Sequence, residues 1–511
     1  VELPTLRLKT YTHAKVCLAT LAVFLFSSQG LNAQDKPAPL GFELKFTEAV
    51  STSPITARVY VMLGDAIGIG EPRRGPDWFQ PRPFFSIEAK DWKPGDTLNL
   101  DGKAAGFPTS LDQIKPGAYR AQAVIRLNLD QNSVGGDGNA YSTVQAVTLD
   151  PKKGGSFALT INTIAKSKPF PETDRMKLVE LPSPLLSAFY KRPVKHRAGV
   201  FLPEGDHSVK RPALYIIPGF GGDADMIRMI SRNGRFGFGK EMIRVVLDPD
   251  CYTGHHVFAD SATNGPRGEA LIKEFIPYLE KTFNAIPEPG ARLLNGHSSG
   301  GWSSLWLQVT YPDFFGGTWS TSPDPVDFRD NQQIDLYDGK ANFYKLTEGT
   351  PRPVARMGTK AMVFVEPFSQ MEDVLGDGGQ LSSFEAVFSP LDKAGRPRKL
   401  WDRKTGVIDP VTAKAWEQYD IRLILERNWA TLGPKLKGKI HVTMGDLDTF
   451  YLEGATILLK QSLEKLGSDA SITLVPGKDH SSVLTTALAD QIELEMTAAV
   501  KAYLPAPKTE K

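Results

Sequence analysis

The sequence has little cysteine: two residues in 511, Cys17 and Cys251. Cys17 falls in a segment expected to be removed, so Cys251 stands alone and an intrachain disulfide is excluded in the mature chain. Charge bias is missing as well. Sixty Lys+Arg against 58 Asp+Glu leave a formal +2, which gives no general electrostatic reason to expect a nucleic acid or a membrane surface as partner. Internal repeats and low-complexity tracts are absent, and no segment beyond the N-terminus reaches the roughly 20 apolar residues that span a bilayer. What is present, 41% hydrophobic, 10% aromatic and 23% charged residues, is the make-up of a folded globular chain and excludes disorder, collagen and coiled coil. At this length two domains are expected, with apolar material for at least one large core.

The N-terminus, residues 1–33, has the pattern of a secretory signal peptide. Arg7, Lys9 and Lys15 precede an apolar run from Val16 to Phe26, and small and polar residues follow up to Ala33. The run is about eleven residues, too short to span a bilayer. Cys17 sits at the start of the run instead of its end, which argues against a lipoprotein anchor. The expectation is a mature protein that is secreted or periplasmic.

Residues 40–165 show short period-two or β-branched runs at Ile55–Leu63, Phe84–Ala89, Ala118–Leu127, Val144–Leu149 and Ser156–Ile161, separated by Gly- and Pro-containing turns. This spacing predicts an all-β sandwich of the immunoglobulin-like kind. A Pro-rich, charged stretch over 166–185 is expected to be a linker. From about 186 to 505 apolar runs (Ala213–Ile217, Ile243–Leu247, Arg292–Asn295, Thr318–Thr321, Ile440–Met444, Ile472–Val475) alternate with helical stretches such as Glu269–Phe283. Buried strands interleaved with amphipathic helices predict an α/β domain with a mostly parallel sheet covered on both faces. Residues from about 325 to 435 interrupt that order as an insertion, helical in pattern over Ala413–Leu432.

The stretch Gly296-His297-Ser298-Ser299-Gly300-Gly301 follows a strand and precedes a helix. In that context G-x-S-x-G is a nucleophile elbow: a tight turn holds Ser298 above the sheet, and small flanking residues keep strand and helix from colliding. A serine hydroxyl needs a base. Of the eight histidines, His480 lies C-terminal to the serine, after the strand Ile472–Val475 and a Pro476-Gly477 turn, in the chain order this fold uses. The base needs a carboxylate to hold its tautomer. Asp448, just beyond the strand Ile440–Met444, is the first candidate, with Asp446 and Asp324 as competitors. The Gly-rich loop Pro218–Asp223 can turn a backbone N–H toward an oxyanion, from Phe220 or Gly221, and Ser299 can supply a second.

With IIPGFGG, NGHSSGG, MGDLD and PGKDH in this order, residues from about 190 to 505 resemble the putative-esterase branch of the α/β-hydrolases, which includes esterase D-like, feruloyl esterase-like and enterochelin esterase-like enzymes. The resemblance implies an α/β-hydrolase fold, a Ser298–Asp448–His480 triad, hydrolysis of a carboxylic ester, and neither metal nor organic cofactor. It covers about three fifths of the chain and leaves out the N-terminal sandwich and the insertion. The partner it implies is a small-molecule or carbohydrate-linked ester, with no nucleic acid and, after signal cleavage, no membrane. The sequence carries no sign of oligomeric state.

Two further readings concern the walls of the site. His255-His256 with Asp248, Asp250 and Asp260 invites a metal site, but adjacent histidines point apart and no spaced ligand set completes it. His256 is therefore expected in a substrate-lining loop. Trp302, Trp306 and Trp319 are expected in the core and pocket wall, Trp302 nearest the substrate. Rival functions use the same sequence differently. An acyltransferase would pass the acyl group from Ser298 to another alcohol, and a non-catalytic protein would grip a polysaccharide or partner with the sandwich. A peptidase is disfavoured: the relatives with that activity that the resemblance brings in often carry a propeller, and 125 or so residues are too few for one, since its four-bladed form already takes about 16 strands.

Overall fold

The structure is a computed structural model and describes residues 39–232 and 237–505. The expected leader, residues 1–33 with Cys17, lies outside the described residues.

Residues 40–164 form one hydrogen-bonded sheet. Its strands run in the order Leu98–Leu100, Leu40–Phe46, Gly155–Ile164, Ala140–Ser142, Gly117–Ile125, Ile55–Asp65, Phe84–Trp92, Ala105–Phe107, and Gln145–Leu149 also pairs with Gly117–Ile125. All pairs are antiparallel except Leu40–Phe46 with Gly155–Ile164. Successive side chains of a strand point to opposite faces, and in Val59–Leu63 both faces are buried. Val59, Val61 and Leu63 join Phe42, Phe46 and Trp92 in the core of this unit. Tyr60 and Met62, on the other face, pack in one cluster with Phe368, Met371 and Val374 of the insertion. The second apolar face thus exists to receive another part of the chain, and the described residues from 39 onward lie in one compact unit.

The second sheet has eight strands in the order Met176–Pro182, Lys195–Phe201, Ile243–Leu247, Ala213–Ile217, Arg292–His297, Gly317–Thr321, Ile440–Gly445, Ser471–Val475. The six from Ile243–Leu247 onward are mutually parallel; the first two join by antiparallel pairing, with Met176–Pro182 at the edge and Lys195–Phe201 between it and Ile243–Leu247. Leu271, Phe275 and Leu279 cover one face and Ile227, Ile492 and Met496 the other, so strands such as Ala213–Ile217 are buried along their whole length. The expectation of a linker over 166–185 is corrected here. Met176–Pro182 is an edge strand, held by seven register partners along Lys195–Phe201; its single half-buried face and edge position make it look polar in sequence. The helix expected over Glu269–Phe283 is continuous but contains a π turn at Leu271–Phe275. Pro277 lacks the N–H that a regular α-turn there requires, and the wider turn accommodates it.

Between Gly317–Thr321 and Ile440–Gly445 the chain forms a hairpin (Pro353–Met357, Lys360–Phe364) and the helices Val365–Leu375, Gln380–Phe388, Pro410–Trp416 and Ile421–Leu436. The nine-stranded unit binds this segment through the end of Val365–Leu375. The last carbonyls of a helix lack intrahelical partners and carry partial negative charge. Arg58 donates to the carbonyls of Asp373 and Val374 at 2.9 Å each, Ser86 Oγ to Val374 at 2.7 Å, and Tyr60 Oη to Leu375 at 2.6 Å. Arg126 donates to the Asp377 carbonyl and, at 2.5 Å, to that of Tyr252, with its guanidinium over the Tyr252 ring. Tyr60→Phe leaves the Leu375 carbonyl unpaired in this buried interface and should lower stability by about 1 kcal/mol. Urea unfolding of the two proteins side by side measures it, and coincident midpoints would deny the bond any net contribution.

Candidate active site

Five loops leave the C-terminal ends of parallel strands and meet over one cavity of about 380 Å³. In open α/β sheets this is the end at which ligands bind.

The second of them in chain order is the turn after Arg292–His297. Ser298 has φ 60° and ψ −128°, a left-handed conformation that costs a side-chain-bearing residue energy and persists only where its surroundings enforce it. Here its N–H donates to Thr321 O at 3.0 Å and its carbonyl accepts from Trp302 N at 3.0 Å. The turn closes because its flanks have no side chain. A Cβ on Gly296 would lie 2.0 Å from Gly300 O, and one on Gly300 would lie 1.9 Å from Ile217 O. Ser299 then opens the helix Ser299–Thr310, so its N–H is one of the first-turn donors without an intrahelical acceptor.

Asp448 and His480 come from the last two of these loops, after Ile440–Gly445 and Ser471–Val475. His480 Nδ1 lies 2.7 Å from Asp448 Oδ2, and Asp448 Oδ1 accepts the N–H of Phe450 at 2.8 Å. Asp448 is fully buried. A carboxylate accepts only, which assigns the proton to Nδ1 and leaves Nε2 of His480 as an acceptor. His480 lines the cavity with Ser298. Gly445 permits the approach of these loops, since a Cβ there would meet Lys478 O at 2.2 Å.

The profile of a protein family described as Putative esterase matches residues 193–482, more than half of the chain. The chain belongs to this esterase family. It is a carboxylic ester hydrolase with an α/β-hydrolase architecture. Among solved structures, a ferulic acid esterase is similar at 16% identity and TM-score 0.39, over 63% of this chain and 98% of its own. The fluorophosphonate-binding serine hydrolase F of Staphylococcus aureus is similar at 14% and 0.38, over 64% and 98%. An S-formylglutathione hydrolase from Agrobacterium tumefaciens is similar at 13% and 0.39, over 65% and 95%. No curated protein sequence matches the chain.

In this esterase the loop after Ala213–Ile217 abuts the elbow. A Cβ on Gly219 would lie 3.0 Å from Ser298 Cβ and 3.6 Å from its Oγ. Gly222 N donates to Gly219 O at 3.0 Å, closing a turn in which Gly221 takes φ +77°. Among the described residues no hydrogen bond takes the N–H of Phe220 or Gly221. His255 holds the loop from behind: its Nδ1 accepts Val257 N–H at 3.1 Å, so Nε2 carries the proton and donates to Pro218 O at 2.9 Å. Burial pushes the His255 imidazole down to about 4, which keeps it in this neutral form. Nothing in the sequence around His255 signals this position.

Asp446 and Asp324 occupy other places. Asp446 is exposed and accepts Gly477 N–H at 2.6 Å, tying the turn that leads to His480. Asp324 is buried in the cavity wall and accepts the Ser299 hydroxyl at 2.5 Å. Two expected substrate contacts are corrected. His256 is buried away from this cavity, lining a separate polar one, and its Nδ1 accepts Phe258 N–H at 3.2 Å. Trp302 is 1% exposed and stacks on Trp306 at 5.2 Å, on the side of the helix that packs against the insertion. Both lie close to site residues in sequence, but the loop and helix turn them into packing.

Burial pushes the Asp324 carboxyl up to about 6, with the Ser299 bond and His480 drawing it down and Asp448 adding to the rise. The unfolded chain therefore binds fewer protons than the folded one between about pH 4 and 6, and this group costs stability progressively as pH rises through that window. Asp324→Asn keeps an acceptor for Ser299 without a charge to bury. Its stability relative to the parent should improve by on the order of 2 kcal/mol between pH 4.5 and pH 8, read from denaturant midpoints at both pH values; a difference independent of pH would contradict this.

Proposed function

We propose that the protein hydrolyses uncharged carboxylic esters of small molecules through an acyl-enzyme on Ser298. Ser298 Oγ attacks the ester carbonyl while His480 Nε2 takes its proton. Asp448 keeps Nδ1 protonated and stabilises the imidazolium that forms. The N–H of Ser299 and one from Phe220 or Gly221 receive the oxyanion, each donor worth about 3 kcal/mol in the transition state. His480 then protonates the leaving alcohol, and water repeats the sequence to free the acid.

The observation that carries this reading is the 2.7 Å His480–Asp448 bond, set beside a serine in a left-handed turn on the same cavity. The family match supports ester cleavage. The uncharged substrate follows from the lining: among the described residues no Lys or Arg faces the cavity, and Asp324 does. We also read the N-terminal unit as an immunoglobulin-like all-β domain, on its largely antiparallel pairing around a Phe and Trp core, with its strands joined in one hydrogen-bonded sheet instead of two, and the chain as exported, on the leader pattern of residues 1–33.

Ser298→Ala should abolish p-nitrophenyl acetate hydrolysis and labelling by a fluorophosphonate probe, with little change in melting temperature. Turnover equal to that of the parent would remove Ser298 as nucleophile. Asp448→Asn should lower kcat by about 10³- to 10⁴-fold, because the amide can stabilise the wrong imidazole tautomer; steady-state kinetics at pH 7–8 decides, and a loss under tenfold would assign Asp448 a lesser part.

A further inference from the structure

The family profile begins at residue 193, yet the cavity has a wall from far upstream. Trp78 and Phe79, in the loop between Ile55–Asp65 and Phe84–Trp92, line the same space as Ser298 and His480. The Trp78 ring lies 5.5 Å from Phe220, 5.2 Å from Phe368 and 6.2 Å from Phe450, centroid to centroid. These are the separations of aromatic pairs in attractive geometry. Phe450 in turn stands edge-on to the His480 ring at 4.9 Å. One indole therefore joins the loop beside Ser298, the insertion, and the ring that packs on the imidazole.

The loop that carries it is anchored to its own sheet. Asp77 Oδ1 accepts the N–H groups of Phe79 (2.9 Å) and Gln80 (2.7 Å), an Asx turn on which the two aromatics stand. Arg73 pairs with Glu71 at 2.7 Å, lies 4.1 Å over the Tyr141 ring, and donates its backbone N–H to Gln122 Oε1 at 3.0 Å. The insertion side is tied to the same unit. Glu372, on the helix whose end Arg58 and Tyr60 bind, accepts Leu381 N–H and Ser382 N–H at 3.0 and 2.9 Å, and Leu381 and Phe384 face the cavity. Side chains held on braced elements can discriminate among ligands by shape. Trp78 is half-buried and Phe79 exposed, so each retains ring surface that no protein group covers.

We propose that Trp78 and Phe79 form a specificity subsite of the catalytic cavity, supplied by the N-terminal unit, for a flat apolar group on an uncharged ester. The subsite rests on the reading of Ser298 as nucleophile. The N-terminal unit is in this view part of the active site.

The test uses the full chain and three methyl or benzyl esters followed by proton release. Methyl 3-phenylpropanoate against methyl acetate places the flat group on the acid side, and benzyl acetate against methyl acetate places it on the alcohol side. In Trp78→Ala the kcat/KM ratio of the larger to the smaller ester should fall about tenfold in one arm, and that arm identifies the side the subsite takes. Trp78→Phe should recover most of the ratio, which general damage to the loop would not allow. Ratios within threefold of the parent in both arms overturn the subsite. If Trp78→Ala does not fold, Phe79→Ala is read by the same ratios and the same limit. Failure of the catalytic reading looks different: parent protein unlabelled at Ser298 by a fluorophosphonate and inactive on all three esters, which removes the subsite with it.

Discussion

The site is organised around a close passage of backbone. At Gly300 the first turn of a helix crosses the end of the strand Ala213–Ile217 so tightly that a methyl group would sit 1.9 Å from a carbonyl oxygen. A Cβ on Gly296 would meet the same helix turn at 2.0 Å. Only with both side chains missing can the strand Arg292–His297 reverse into the helix within one residue, and that residue, Ser298, is driven to φ 60°. The strain is held by the Thr321 carbonyl on one side and the helix on the other. The same passage brings Gly219 against Ser298, so the conformation of the elbow and the position of the neighbouring loop are one constraint. His255 completes it by fixing the Pro218 carbonyl from the side away from the cavity.

Around that turn, charge is buried only where a partner meets it. Asp448 has no exposure, and its two oxygens are taken by His480 and the Phe450 amide. Asp324 has one hydroxyl partner, and its carboxyl is accordingly pushed up. The remainder of the chamber is largely aromatic and aliphatic, drawn from three parts of the chain: the parallel-sheet domain, the insertion, and the loop bearing Trp78. Such a lining strengthens every interaction of the polar groups it encloses, because it removes competing water. The insertion keeps its place through the carbonyls at the end of Val365–Leu375, which Arg58, Ser86 and Tyr60 satisfy.

Local demands on the backbone were legible in the sequence. GHSSGG after an apolar strand marks a turn that needs missing side chains, and PGKDH and MGDLD mark loops after parallel strands. The apolar runs of both sheets were legible too, because buried strands are continuous in hydrophobicity. Edges were not. Met176–Pro182 alternates weakly and carries charge, so by itself it reads as part of a linker, while its register with Lys195–Phe201 makes it a strand. His256 and Trp302 mislead for a related reason: nearness in sequence to the elbow or its loops says nothing of which side of the element a side chain takes.

The α/β alternation, the elbow and the identity of the residues that follow each strand are written in the linear chain, since each follows from periodicity or from the steric needs of a few consecutive residues. Only the tertiary structure decided which of three aspartates meets His480, that His255 braces a loop, and that Trp78 stands at the cavity. Those contacts join segments far apart in the chain. Their geometry depends on how whole layers pack, and no local pattern encodes that.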